Sequence, residues 1–205
     1  PTDMGVNRAG FAIINDEITQ EAAKMEIIRR YFRYRCEYVM GFADRETVQR
    51  VDLFMKDFGL IPEDRRSTVV PAREAARQAQ EREKGDEGIF CGAAMELRDG
   101  TIVTGGNSPL LHAASSMVIH AIKHLAGIPD KIKLLPSHIT ASIKRLKTDI
   151  LREKSVSLDL EETLIALSIS AATNPAAQLA MEKLEELRNC EAHMTHIPTP
   201  GDEAG

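Results

Sequence analysis

The side chains best suited to acid–base chemistry gather near the carboxy-terminal end, where His193 and His196 bracket Thr195, and Asp202 and Glu203 follow closely. Imidazole titrates near neutral pH and a carboxylate can orient it, so His193, Thr195 and Asp202 are the candidate catalytic residues. On a strand, His193 and His196 point to opposite faces, and one of them would enter a site. A strand-end histidine followed by a solvated acidic loop is the plainer account, and on the residues alone it carries more weight. A second place is the turn Gly105-Gly106-Asn107-Ser108-Pro109. With Ser108 as N-cap and Pro109 at the first helical position, its backbone N–H groups suit a phosphate or carboxylate, and Asn107 and Ser108 become candidate substrate-binding residues. Neither GxxxxGK[ST] nor GxGxxG is present, so a well-capped helix after a hairpin explains the same residues.

The other constellations are weaker. His112, His120 and His124 fall near one helical stripe, but the Glu of HExxH and a third ligand are missing, and no metal is assigned. Cys36, Cys91 and Cys190 are odd in number and lack CxxC spacing, which fits a reducing compartment better than a disulfide framework. No GxSxG is present, and neither Cys91 nor Cys190 has a local context that demands a thiolate, although a histidine could approach either in space. Arg29, Arg30, Arg33 and Arg35 interleave with Tyr31, Phe32 and Tyr34. Wound into a helix they spread around its circumference, as arginine stems covering a core edge rather than a nucleic-acid surface.

The elements that would position these residues follow from periodicity and punctuation. Phe11 to Ile14 reads as a strand, with Asn15 or Asp16 capping a long helix whose buried stripe is Ile18, Ala22, Met25, Ile28, Phe32, Cys36 and Val39. Asp44 caps a second helix carrying Val48, Val51, Phe54 or Met55, and Phe58, which completes a helical hairpin. Residues 72 to 84 have helix propensity but almost no large apolar residue, and are expected as an exposed helix. Strands 89–97 and 101–104 around a two-residue Asp99-Gly100 turn form a β-hairpin with Met95, Leu97, Ile102 and Thr104 on one face. A helix from Ser108 to Leu125, a strand at 132–135 and a helix over 137–153 come next. Asp159 and Glu162 then form a capping box for a buried helix bearing Leu160, Leu164, Leu167 and Ala171, broadened by Ile165 and Ile169. Asn174 caps the next helix to Leu187, and residues 190–197 return as a strand. The expectation is an α/β or α+β layer structure: a mainly helical segment 1–84 with one short strand, a linker at 85–88, and a mixed segment 89–205 cut short at its carboxy terminus.

Four strings resemble one family: Pro1-Thr-Asp-Met-Gly-Val-Asn7, Met95 to Gly105, Leu164 to Pro175, and Cys190-Glu-Ala-His193 with Thr195. It is the bacterial family catalogued as domain of unknown function eighteen forty-six. The resemblance spans essentially the whole chain. It implies a protein more than twice this length, with a Rossmann-like amino-terminal portion and a glycine-rich, P-loop-like segment upstream of Pro1. This chain would then be the middle to carboxy-terminal part, lacking its last few dozen residues. Family members have been labelled ATP-dependent peptidases. The resemblance also places Asp3 and Asn7 in a recognisable motif, as substrate-binding candidates, and makes ATP or another nucleotide the cofactor to expect through the absent portion.

Bulk composition narrows the partners. With 26 basic against 31 acidic residues, a net charge of −5 works against nucleic acid or an anionic membrane. No apolar run approaches the roughly 18 residues of a membrane helix. The chain opens on a loop-like stretch without methionine and closes inside the Pro/Gly/acidic run Pro198 to Gly205, which reads as an internal piece of a larger cytoplasmic protein. Two functions follow as expectations: an enzyme acting on a small anionic or nucleotide-linked substrate, or a non-catalytic binding or assembly module that forms a homo-oligomer through the helices of residues 17–58.

Overall fold

The structure is a computed structural model and describes residues 16–205; the expected strand at 11–14 and the candidates Asp3 and Asn7 lie outside the described residues. The chain divides into two compact units, residues 1–66 and 67–205.

In the first unit, helix α1 (Asp16–Val39) packs against α2 (Arg45–Asp57), and a single turn, α3 (Pro62–Arg65), follows. Asp44 caps α2 as its position predicts, its carboxylate accepting from the Thr47 amide at 2.7 Å. Of the expected α1 stripe, Ile28 is fully buried, while Ile18 and Val39 at the two ends are about two-thirds exposed. The reason is length: at 1.5 Å per residue a 13-residue helix cannot cover one of 24 residues. On α2 the buried positions are Val51 and Met55, and Phe54 and Phe58 are more than half exposed.

The second unit is built on a three-stranded antiparallel sheet in the order β2-β1-β3, with β1 at Gly92–Glu96, β2 at Ile102–Gly106 and β3 at Glu191–Met194. Helix α4 (Val69–Glu81) covers one face and α5 (Ala113–Leu125) the other. Two details of the sequence reading change here. Leu97 donates to the carbonyl of Thr101, so Arg98-Asp99-Gly100 is a three-residue loop with Gly100 at φ +84°. Met95 therefore opposes Val103, and the α5-side face carries Ala93, Met95, Leu97 and Val103; Ile102 and Thr104 belong to the opposite face. One residue in the loop moved a whole strand to its other side.

The second change concerns α4, which is not exposed: Val69, Ala72, Ala75 and Ala79 are buried against the sheet. Small residues on both partners permit the approach. A Cβ at Gly92 would strike the Ala72 carbonyl, one at Gly106 would lie 3.3 Å from the Ala79 methyl, and on the opposite face one at Gly105 would collide with the Met117 backbone. The segment 85–88, expected as a linker, lies within this second unit.

Helix α5 starts at Ala113 rather than at Ser108, and residues 132–135 form no strand although Leu134 is buried. Helix α6 (Ser137–Arg145) runs on into a π-helical turn, Leu146–Leu151. Helix α7 (Leu160–Ala171) opens with the expected capping box, Asp159 accepting from the Glu162 amide at 2.9 Å and Glu162 accepting from the Asp159 amide at 3.1 Å. Its buried face is Leu160, Thr163, Ala166, Leu167 and Ser170; Ile165 and Ile169 are more than half exposed, so the helix is half-buried rather than enclosed. Asn174 caps α8 (Pro175–Met181), and α9 (Pro200–Ala204) stands where an acidic loop was expected. The architecture is α+β.

Candidate functional site

The edge of the sheet and the turns around it enclose a cleft of about 270 Å³ lined by Asp86, Cys91, Asn107, His112, Ser155, Ser157, His196 and Thr199, among others. Cys91 ends the segment leading into β1, His112 stands at the N-cap of α5, and His196 and Thr199 occupy the link between β3 and α9. Asp202 anchors the cleft from beneath.

Asp202 is buried, and its bonds tie the starts of two other helices to the start of its own. Its Oδ2 accepts from Thr199 at 2.9 Å and pairs with His112 Nδ1 at 2.8 Å, while Oδ1 accepts from the Leu160 amide at 3.0 Å. His196 Nε2 lies 3.9 Å from the same Oδ2, an ion-pair rather than hydrogen-bond distance. Burial pushes the Asp202 carboxyl up, but the bonded His112, the nearby His196 ring and the bonded Thr199 outweigh it and hold the group well below the usual carboxylate range. The His196 ring is raised to about 9 by Asp202 first and by the Cys91 side chain next, against the opposing effect of burial. The imidazole thus lies between a buried carboxylate and a thiol, both of which favour its protonated form. Its Nδ1 is buried and makes no hydrogen bond.

The backbone that carries the thiol is fixed. Asn107 Oδ1 accepts from the Cys91 amide at 2.8 Å, Asn107 Nδ2 donates to the Ile89 carbonyl at 2.9 Å, and the Asn107 amide donates to the Cys91 carbonyl at 3.0 Å. Thr195 Oγ1 accepts from the next amide, Gly92, at 2.9 Å. Across the cleft, Asp86 Oδ2 accepts from the hydroxyls of Ser155 at 3.1 Å and Ser157 at 3.2 Å. Ser157 is held from behind by Lys147, whose buried ammonium donates to the Ser157 carbonyl at 3.0 Å and to Glu162 at 2.7 Å. Burial lowers the Lys147 pKa, and Glu162 with Glu153 more than restores it.

Of the sequence candidates, Asp202 stands at the centre and Asn107 lines the cleft. Ser108 caps a turn, its hydroxyl accepting from Leu110 and Leu111. Thr195 extends the pairing of β3 with β1, its amide donating to Gly92 at 2.9 Å. His193 lies opposite Ala94 in the sheet and does not line the cleft; the histidine of the pair that does is His196. His112, which pairs with Asp202, and Cys91, Asp86, Ser155 and Ser157, which share the cleft, escape sequence reasoning as a group, because long stretches of chain separate them and no local motif joins them. Among the described residues no three His, Cys, Asp or Glu side chains are arranged to hold a metal ion, and no helix is long and apolar enough to cross a membrane.

Residues 64–205 match the family model described as the carboxy-terminal part of domain of unknown function DUF1846, and residues 1–59 match its amino-terminal part. Among curated proteins the chain is 50% identical over 204 residues to UPF0371 proteins of Clostridium botulinum strains Alaska E43 and Eklund 17B, and 48% identical over 203 residues to that of strain Kyoto. In each case 99% of this chain aligns, and it spans 40% of the relative's length.

Proposed function

The chain belongs to the DUF1846 family, and from that premise we propose that the cleft is a thiol-based catalytic centre acting on a small molecule. Cys91 supplies the nucleophile, His196 carries the proton, and Asp202 orients and charges the ring. The observation that supports the reading is the order of groups lining or underlying one cleft: a thiol whose backbone is held by Asn107, an imidazole, and a buried carboxylate fixed by three hydrogen bonds. Nucleophile, base and orienting acid in that sequence is the logic shared by unrelated cysteine and serine enzymes. Asn107 holds the thiol's backbone rather than contacting substrate.

We take the chain as the middle to carboxy-terminal part of a larger cytoplasmic protein whose Rossmann-like portion, with its P-loop-like segment, could bring a nucleotide to the same substrate. Asp86 and Glu87 stand on one wall of the cleft, so the part of the substrate that meets them is taken as neutral or cationic.

The test is alkylation by iodoacetamide at neutral pH in the full-length protein, read peptide by peptide, with Cys36 and Cys190 as internal references. Cys91 is expected to react at least about ten-fold faster than either, and to lose that advantage in His196→Ala. Equal rates at all three cysteines would sink the proposal. A second reading, assembly through the helical hairpin, draws on the exposed rings of Phe42, Phe54 and Phe58. It predicts a dimer by sedimentation that Phe54→Glu dissociates, and a monomer at all concentrations would end it.

A further inference from the structure

Resting on the reading of Cys91 as a nucleophile, we infer that the carbon it attacks is that of an amidine or guanidine, held in the cleft as a cation by Asp86. The first ground is that the amides nearest the thiol in sequence are already committed. Attack on an acyl carbon drives negative charge onto oxygen, and enzymes meet it with preorganised donors, commonly including the nucleophile's own amide. Here the Cys91 amide is committed to Asn107 at 2.8 Å and the Gly92 amide to Thr195 at 2.9 Å. The hydroxyls of Ser155 and Ser157 are turned to Asp86. An amidinium carbon needs no oxyanion donors, because addition of sulfur neutralises a charge instead of creating one.

The second ground is Asp86. Its half-buried carboxylate lines the cleft and accepts two hydroxyls at Oδ2, yet no Lys, Arg or His pairs with it among the described residues. A partly desolvated carboxylate without a cation is costly, and a cationic ligand offsets that cost. The wall it belongs to is built rather than loose: Ser157 is 2% exposed and Lys147, 4% exposed, grips its carbonyl. At about 270 Å³ the space suits a small cationic head group.

The reaction balances with water as the only co-reactant. Sulfur of Cys91, its proton carried on His196, bonds to the amidinium carbon. The carbon–nitrogen bond breaks as His196 gives its proton to the departing ammonia, leaving a cationic S-linked thiouronium or thioimidate. Water then adds, giving a proton to His196. The carbon–sulfur bond breaks with its electron pair returning to sulfur, the adduct's hydroxyl proton passes to the ammonia released earlier, which diffuses away as ammonium, and the product is the corresponding urea or amide. Cys91 and His196 return to their starting states.

The experiment compares alkylation of the full-length protein by 2-chloroacetamidine and by its neutral counterpart 2-chloroacetamide, each cysteine quantified by mass spectrometry. Cys91 is expected to favour the amidine over the amide by about ten-fold more than Cys36 and Cys190 do, as a charge-assisted contact would give, and Asp86→Asn should erase the preference. In the unaltered protein, methylguanidine should slow alkylation of Cys91 and methylurea should not, which tests the same point should Asp86→Asn fail to fold. A Cys91 that reacts fast with both reagents and shows neither preference nor protection overturns the amidine inference and leaves the thiol centre standing. A preference that survives Asp86→Asn overturns the role of Asp86 and with it the inference. A Cys91 no faster than its references with either reagent overturns both readings.

Discussion

The two units spend their polar groups differently. In the hairpin unit, pairs such as Arg30–Glu26, Arg33–Glu37 and Arg50–Glu46 are intrahelical and exposed, and Arg35 bridges to Asp52 with both partners about half exposed. In the sheet unit, Asp202, Lys147 and Ser157 are buried; Asp202 and Ser157 join elements far apart in sequence, and Lys147 holds the segment that carries Ser157. Exposed pairs are screened by water and cost little to lose, whereas a buried group left without its partner carries the full desolvation penalty. The paired charges of the hairpin helices decorate their surface, whereas the buried charges of the sheet unit determine its geometry.

Removing the hub strains that contrast hardest. Asp202→Ala takes the partner from His112, His196, Thr199 and the start of α7 at once, and is expected to cost the sheet unit about 3–5 kcal/mol in denaturant unfolding of the full-length protein. Gly105→Ala, which forces a methyl into the α5 backbone, should cost about 3 kcal/mol by the same measurement.

Changing pH reaches the same groups without mutation. A ring whose folded pKa is about 9, against an ordinary 6.5, stabilises the fold fully below pH 6.5 and loses that contribution as pH rises through 9. The full change corresponds to about 3 kcal/mol, which partial exposure of the ring reduces to on the order of 2 kcal/mol, and His196→Gln should flatten that stretch of the stability curve. Asp202, depressed, works in the opposite direction: its contribution is present above the ordinary carboxylate range and fades as pH falls below it. The smallest effect belongs to the hairpin. Asp52→Asn should cost under about 1 kcal/mol and should matter less still in high salt. An Asp52→Asn loss as large as that of Asp202→Ala would break the comparison.

Local signals were legible in sequence wherever a residue acts on its near neighbours. Asp44, Asp159 with Glu162, and Asn174 announced helix starts that the structure keeps, because a cap is decided within one turn. What depends on distant partners was not. The alanines of α4 carry no apolar bulk, and only the glycines of β1 and β2 turn them into a buried face. The strand register hinged on one residue of a loop. Asp202 stood out by its closeness to two histidines, but the thiol that shares His196 with it lies just before β1, distant in sequence, and only the pairing of β1 with β3 brings the two together.

The proposal that Cys91, His196 and Asp202 act as one unit is tested most directly by NMR titration of the His196 ring in the full-length protein, unaltered and as Cys91→Ala. The structure leads us to expect a ring that titrates near 9 and moves down when the thiol is removed. A ring that titrates near 6.5, unchanged by Cys91→Ala, would contradict it.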